Sequence, residues 1–431
     1  MEKTRLLDRG RWVVALVVLS GFGPYLLSVG LRLEHVVIYG LSAIALANIL
    51  RWRTSPVSAP VAAGILLPLA VAALWGGLVA WWSLPAENPV LVMASLDNYL
   101  QPIALYLLLV WGGARASVPE MRTSLVLGYR LMLLALALNA LLALSHMFVD
   151  TWPLVRFFVQ GESEPMGTVW QRAARLGRYC GIFNQPVEAG IAYGLGLFAW
   201  GQLFLAERRL NLSLFYLLAM LLLGGLLSVS KVFLMLAVPL FACWVLINRR
   251  ELPLKYLQAT HAWLAIGVVT VLVALMAWRW QGVNRLKKTL GLADQVGSRG
   301  FWSRLTGKRF GEADSNVLTA FREVWENAPL QGFGFGLRRG FDNAYLEFFY
   351  QGGSVGLMLY LAVLVWLGLL GRRVLSWSRS EGSMLLLILI FVVVAGLGAP
   401  VLTINRSSIL LWLLLIMFLE LDARRYQVGN S

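Results

Sequence analysis

The feature that most restricts this chain is a succession of apolar stretches, each long enough to cross a hydrocarbon core of roughly 30 Å. They fall at about 12–30, 35–50, 61–82, 98–113, 123–149, 181–205, 212–229, 231–248, 261–279, 342–370, 383–399 and 404–420. Lipid satisfies no backbone polar group, so such segments cross a bilayer as helices whose hydrogen bonds are internal. With 59% hydrophobic and 14% charged residues, most of the length belongs in lipid rather than around a soluble core. The expected fold is all-α: one polytopic transmembrane helical bundle of about twelve spans over residues 1–431, with a large outer loop at 280–341 that contains short helices.

Charge orients the bundle. Lys3, Arg5, Arg9 and Arg11; Arg51 and Arg53; Arg115 and Arg122; Arg208 and Arg209; Arg249, Arg250 and Lys255; Arg372, Arg373 and Arg379; and Arg424 and Arg425 all fall on one side. The positive-inside rule makes that side cytoplasmic and puts both termini there. The first apolar run lacks a small-residue cleavage site and reads as an uncleaved span. Cys180 and Cys243 fall at opposite ends of different spans, which argues against their pairing. Two outer loops break the charge rule. The first, about 150–180, carries Arg156, Arg172, Arg175 and Arg178; the second includes Arg285, Lys287, Lys288, Arg304, Arg322, Arg338 and Arg339. Long loops escape the insertion bias, so solvated surface charge accounts for the second loop as well as a phosphate site does. The functional alternative is recognition of phosphate or diphosphate, to which the arginine fork is suited.

Residues 329–356 are the most unusual stretch, a glycine-broken loop running directly into an apolar helix. Asp342 and Asn343 lead that helix, and Asn343, Glu347, Gln351 and Ser354 share one helical face, an arrangement suited to a wet cavity. Ahead of it, Asp314 and Ser315 are placed to cap a helix through Val317, Leu318, Phe321, Val324 and Trp325, which Pro329 stops. Gly332, Gly334, Gly336 and Gly340 then read as a pliant bend, and Gly352 with Gly356 as a close helix contact. Asn184 and Glu188 share a face one turn below Arg178, and an intramembrane glutamate is a functional candidate by default. Lys231, in Ser-Val-Ser-Lys, falls in the same outer layer; snorkelling is its plainer explanation. The Gly-x-Gly-x-Gly run follows no strand, and His35, His146 and His261 have no metal-ligand spacing. No metal, cofactor or nucleic-acid partner is expected.

These pieces, in order, resemble the O-antigen ligase and polymerase superfamily. The matching segments are Arg175 to Pro186, the pair Ser230-Lys231, Pro329 to Gly336, and Asn343 to Leu346, followed by Gly353 and Gly356. The resemblance implies a metal-independent, membrane-embedded glycosyltransferase of the C type at the outer, periplasmic face of a bacterial inner membrane. Its donor would be a polyprenyl-diphosphate-linked glycan and its acceptor another lipid-linked glycan, with a chain-length regulator as a further partner. By that resemblance Arg175, Arg178, Lys231, Arg322, Arg338, Arg339, Asn343 and Tyr345 bind substrate, while Asp342, Glu188 or Glu347 supplies the base. Ligases of this group usually carry His where this chain has Asp342, and that departure resembles chain-extending polymerases. Lys231 replaces the commoner arginine, keeping the charge and losing the fork. A ligase moving finished glycan onto lipid A core is the alternative within the enzyme class. A polysaccharide-lipid transporter is the alternative outside it, although an internal repeat and polar residues on both sides would then be expected.

Overall fold

In the computed structural model, residues 2–26, 30–52, 60–83, 89–113, 116–159, 167–208, 211–252, 316–336 and 342–430 are described. The helices are α1 (Glu2–Gly21), α2 (Leu33–Trp52), α3 (Pro60–Ser83), α4 (Pro89–Gly113), α5 (Val118–Ser145), the short α6 (Trp152–Val155) and α7 (Val169–Arg175), α8 (Pro186–Glu207) and α9 (Leu212–Ser228). A π-helical turn, Phe233–Ala237, leads into α10 (Val238–Ile247); α11 (Asn316–Asn327), α12 (Ala344–Leu375), α13 (Arg379–Ala395) and α14 (Asn405–Asn430) follow. Among the described residues there is no strand, only an isolated bridge between Tyr25 and Arg32. Among the described residues, five helices are long and apolar enough to cross a membrane: α2, α3, α5, α8 and α12. Every apolar window of the sequence coincides with a helix except 261–279, which lies outside the described residues, as does most of the 280–341 loop.

Local chemistry explains where these helices start and stop. Glu120 accepts the Ser117 N–H at 2.7 Å ahead of α5, and Thr168 and Gln171 bond reciprocally at the start of α7. The first helix ends at Gly21, well short of the expected residue 30, because Gly23-Pro24 turns the chain and the Leu26 N–H bonds back to Leu31. The middle of the bundle is α8 and α14. Nearly all of α8 from Pro186 to Phe204 is buried, and so is α14 from Ile409 to Ala423. The outer helices turn apolar side chains outward instead, among them Leu67, Leu74, Leu134, Leu138, Met358 and Val365. An exterior of that kind is stable against lipid. Trp81 and Trp82 are exposed at the end of α3, where an interfacial tryptophan pair is expected. Cys180 and Cys243 are both free thiols.

The glycine-rich segment is fixed, not pliant. Within α12, Gly353 departs from helical geometry at φ 61°, ψ −153° and breaks the helix in two. The carbonyls of Tyr350, Gln351 and Gly352, which lose their helical partners there, accept the Phe333 N–H at 2.8 Å, the Gly334 N–H at 3.0 Å and Trp75 Nε1 at 3.2 Å. Residues 329–336 are thus the hydrogen-bonding complement of the kink. Gly332 and Gly334 have left-handed φ of 66° and 82°, and a Cβ on either would press on the backbone of α12 or α3. Of the pair read as a close helix contact, Gly352 does face another helix, at Trp75 of α3, whereas Gly356 faces the Phe348 carbonyl of its own helix across the kink. The predicted amphipathic helix is present as α11, ending at Asn327 before Pro329; its capping candidates Asp314 and Ser315 lie outside the described residues. It packs on α12 through Ala320 and Val324 against Leu346, Phe349 and Tyr350.

Candidate active site

One end of the bundle gathers the loops that the charge pattern assigns to the outer face. The Tyr25 N–H bonds the Phe157 carbonyl at 2.8 Å, the Tyr179 N–H bonds Leu227 at 2.9 Å, and the Ala344 N–H bonds Gly396 at 2.8 Å. The opposite end pairs Arg122 with buried Glu381 and Arg373 with buried Asp422, and stacks Arg9 on Trp111 and Arg425 on Trp377. Both ends bury charge: at the opposite end Arg424 donates to the Gly113 and Ala116 carbonyls and pairs with buried Glu420, while the first end gathers its buried charges among loop backbones from four different parts of the chain.

Arg178 and Lys231 come to the same turn at that end. Arg178 donates from Nε to the Ser228 carbonyl and from Nη2 to the Val229 carbonyl, both at 3.3 Å, so its charge sits on the negative C-terminus of α9. Val229 ends α9 in the left-handed region at φ 45°, a costly geometry for a β-branched residue, and Lys231 follows two residues later with an exposed side chain. Ser230, between them, is buried against Gly190 of α8, where any Cβ would collide with its hydroxyl. The strained turn therefore fixes Arg178 and the Lys231 backbone relative to α8. Arg175 is exposed at the end of α7 and Arg172 is half-buried there. Arg322 is exposed on α11, away from the face that packs on α12, and the described residues do not join it to Arg178. Arg338 and Arg339 lie outside the described residues.

Two of the three candidate carboxylates, Glu188 and Glu347, converge on one segment, 403–406. Glu188 is fully buried, and its two oxygens accept the N–H groups of Arg406 at 3.0 Å and Asn184 at 2.9 Å. Glu347, 8% exposed, accepts the Thr403 hydroxyl at 3.3 Å. Asn343 caps α12 by accepting the Leu346 N–H at 3.0 Å and donates to the Leu397 carbonyl at 3.4 Å, while the Tyr345 hydroxyl donates to Val393 at 2.8 Å. Asn343 and Tyr345 therefore hold the helix entrance against the end of α13. Asp342, just before the cap, is exposed. Farther along the predicted stripe, Gln351 accepts the Tyr99 hydroxyl at 2.7 Å, and Ser354, beyond the kink, bonds the Pro329 carbonyl. The stripe is thus split between two half-helices, and its upper part faces the candidate site.

Sequence reasoning missed the residue that ties these parts together. Arg406, 1% exposed, donates from Nη1 to Ile182 at 3.3 Å and from Nη2 to Gly23 at 3.0 Å, and stacks over Tyr25, whose hydroxyl accepts from Asn184. Beside it lies a second buried group: Arg32 pairs with Glu34 at 2.6 Å, and His35 and Tyr39 both bond Asp97. A buried ion in this setting is stable only inside such a network. The signal was present in the sequence: Arg406 stands inside an apolar window, and Arg32, Glu34 and His35 sit together between two of them.

No family model matches this chain, and no curated protein matches it. Fold and site together define a helical protein with several helices long and apolar enough to cross a membrane and with charged side chains buried among its loops.

Proposed function

We propose that this chain is a membrane glycosyltransferase that polymerises polyprenyl-diphosphate-linked oligosaccharide repeat units into surface polysaccharide. In this reading about twelve spans cross the bacterial inner membrane, both termini are cytoplasmic, and the site faces the periplasm. The observation that carries the reading is the placement of Arg178 and Lys231 at the strained end of α9, on the same end of the bundle as Asp342 and Glu347. Cations for the leaving group and a carboxylate for the acceptor are what displacement of a diphosphate from an anomeric carbon requires. The acceptor hydroxyl oxygen forms the new bond to that carbon, its proton passes to the Asp342 carboxylate, and the carbon–oxygen bond to diphosphate breaks. The leaving group departs as an anion that Arg178 and Lys231 stabilise. Glu188, with both oxygens held by backbone N–H groups, acts here as the anchor that seats Arg406 and the 182–184 turn. Glu347 is the second carboxylate able to take the proton. A ligase would use the same donor chemistry with a different acceptor, and Asp342 in place of the ligase histidine favours the polymerase.

Arg178→Ala tests the donor assignment. Purified enzyme should lose about 100-fold in kcat/KM for a lipid-diphosphate donor whose own acceptor hydroxyl is blocked, as removal of one oxyanion-type contact does elsewhere. The KM for an alkyl glycoside acceptor, which lacks the diphosphate, should stay within about twofold. Equal losses for both, with a lowered melting temperature, would assign Arg178 to closing α9 alone.

A further inference from the structure

Next to the Arg178–Lys231 turn is a cleft of about 450 Å³, lined by His146, Asp150, Trp152, Trp170, Gln171, Ala174, Arg175 and Tyr179. That volume falls among those, roughly 300–1,000 Å³, that hold small ligands. Its walls come from the end of α5, from α6 and α7, and from the turn before α8. Trp152 and Trp170 stand with ring centroids 5.4 Å apart and planes 36° off parallel. Trp170 is locked by donating Nε1 to the Gly181 carbonyl at 2.8 Å. His146 packs its ring edge-on against both Trp170, at 4.9 Å, and Tyr179, at 5.3 Å. Buried Trp170 and Tyr179 thus back the half-exposed Trp152, whose ring is set beside a carboxylate, an amide and a guanidinium from Asp150, Gln171 and Arg175.

We propose that this cleft is a saccharide subsite, holding one pyranose ring of the glycan attached to the diphosphate. The inference rests on the glycosyltransferase reading and names where that substrate's sugar sits. A pyranose ring is amphipathic: its C–H faces pack on aromatic rings, and its equatorial hydroxyls each donate and accept. Planar side chains that can pair with two neighbouring hydroxyls, such as carboxylate, amide and guanidinium, match that edge. The other candidate ligands fit less well. An acyl chain would set hydrocarbon against the polar groups of Asp150, Gln171 and Arg175, and a bare phosphate would face the Asp150 carboxylate. His146 fits a neutral hydrogen-bonding role. Its Nδ1 lies 2.6 Å from the Thr151 hydroxyl and accepts the Thr151 N–H, which leaves the ring proton on Nε2; burial further lowers its pKa, against the opposing pull of Asp150. Chain connectivity ties the cleft to the cations. Tyr179 follows Arg178 directly and its N–H bonds the Leu227 carbonyl, so this wall is joined to the turn that carries Lys231.

The test uses the full-length protein in lipid nanodiscs and two probes. One is the oligosaccharide released by mild acid from lipid-linked material of cells lacking this chain; the other is undecaprenyl diphosphate without sugar. Tryptophan fluorescence should report oligosaccharide binding, and Trp152→Ala and Asp150→Asn should each weaken it at least tenfold while shifting undecaprenyl diphosphate binding less than twofold. Asp150→Asn is the variant that preserves folding, because its side-chain oxygen still accepts the Trp152 N–H that Asp150 now holds at 2.9 Å. Oligosaccharide that binds both variants as it binds the parent, or that does not bind the parent, overturns the subsite and leaves the glycosyltransferase reading standing. Failure of the parent to bind undecaprenyl diphosphate overturns that reading and the subsite with it.

Discussion

Replacing Asp342 with asparagine is expected to lower glycan chain extension by about 100-fold or more while leaving the protein folded in the membrane. A positioned general base contributes about 10²–10⁴-fold, and asparagine keeps the size and polarity of aspartate while losing the ability to take a proton. The structural cost should be small. Asp342 is exposed, and the capping contacts of the α12 entrance belong to Asn343, which accepts the Leu346 N–H, and to Ala344, whose N–H bonds Gly396. The measurement is a gel ladder of surface polysaccharide from cells carrying the variant, alongside a thermal melt of the purified protein. Ladders of parental length would remove Asp342 from the chemistry. Glu347→Gln, made in parallel, would then be the variant that loses extension, since Glu347 is the remaining carboxylate that keeps an oxygen without a backbone donor among the described residues.

Gly353→Ala should be the most damaging single change away from the chemistry. The backbone there lies in a region reserved for glycine, which costs an alanine about 1–3 kcal/mol, and the added methyl would also collide with the Leu330 carbonyl. Relieving that collision means withdrawing residues 330–336, which would strip the freed carbonyls of Tyr350 and Gln351 of their donors inside the apolar layer. The combined loss is expected to reach about 3 kcal/mol or more, read as a lower melting temperature in detergent and reduced membrane yield. Gly352→Ala is the control. Its Cβ would meet only Trp75 Cδ1 at 3.6 Å, so it should melt close to the parent. Equal behaviour of the two variants would mean that the kink is not held by the 329–336 segment.

The helices were readable because lipid forces hydrophobicity and backbone pairing into the same residues, and the windows for α3, α5, α8 and α9 fall close to the observed bounds. Breaks within windows were not readable from hydropathy. Gly23-Pro24 cuts the first one short, and Gly353 splits α12, although Gly352-Gly353 stands in the middle of a run that otherwise looks like one helix. At the site, Arg178 with Lys231, and Glu188 with Asn184, were legible because each is a polar residue at a predicted membrane edge. Arg406 was missed for the opposite reason: a hydropathy window averages one arginine away among the leucines that follow it. Its partners, the carbonyls of Gly23 and Ile182, are hundreds of residues distant in sequence and carry no side-chain signal. The pairing of Thr403 with Glu347 is hidden in the same way, by a loop whose shape only the packed bundle defines.

The central claim, that the charged end of this bundle lengthens a lipid-linked glycan, is tested most directly by deleting the chain and sizing the glycan left on the lipid. Single repeat units on polyprenyl diphosphate, with extension restored by the parental chain and not by Asp342→Asn, are the predicted result. Full-length glycan stranded on the lipid would instead identify a ligase, and glycan of normal length confined to the inner leaflet would identify a transporter; either outcome would contradict the polymerase.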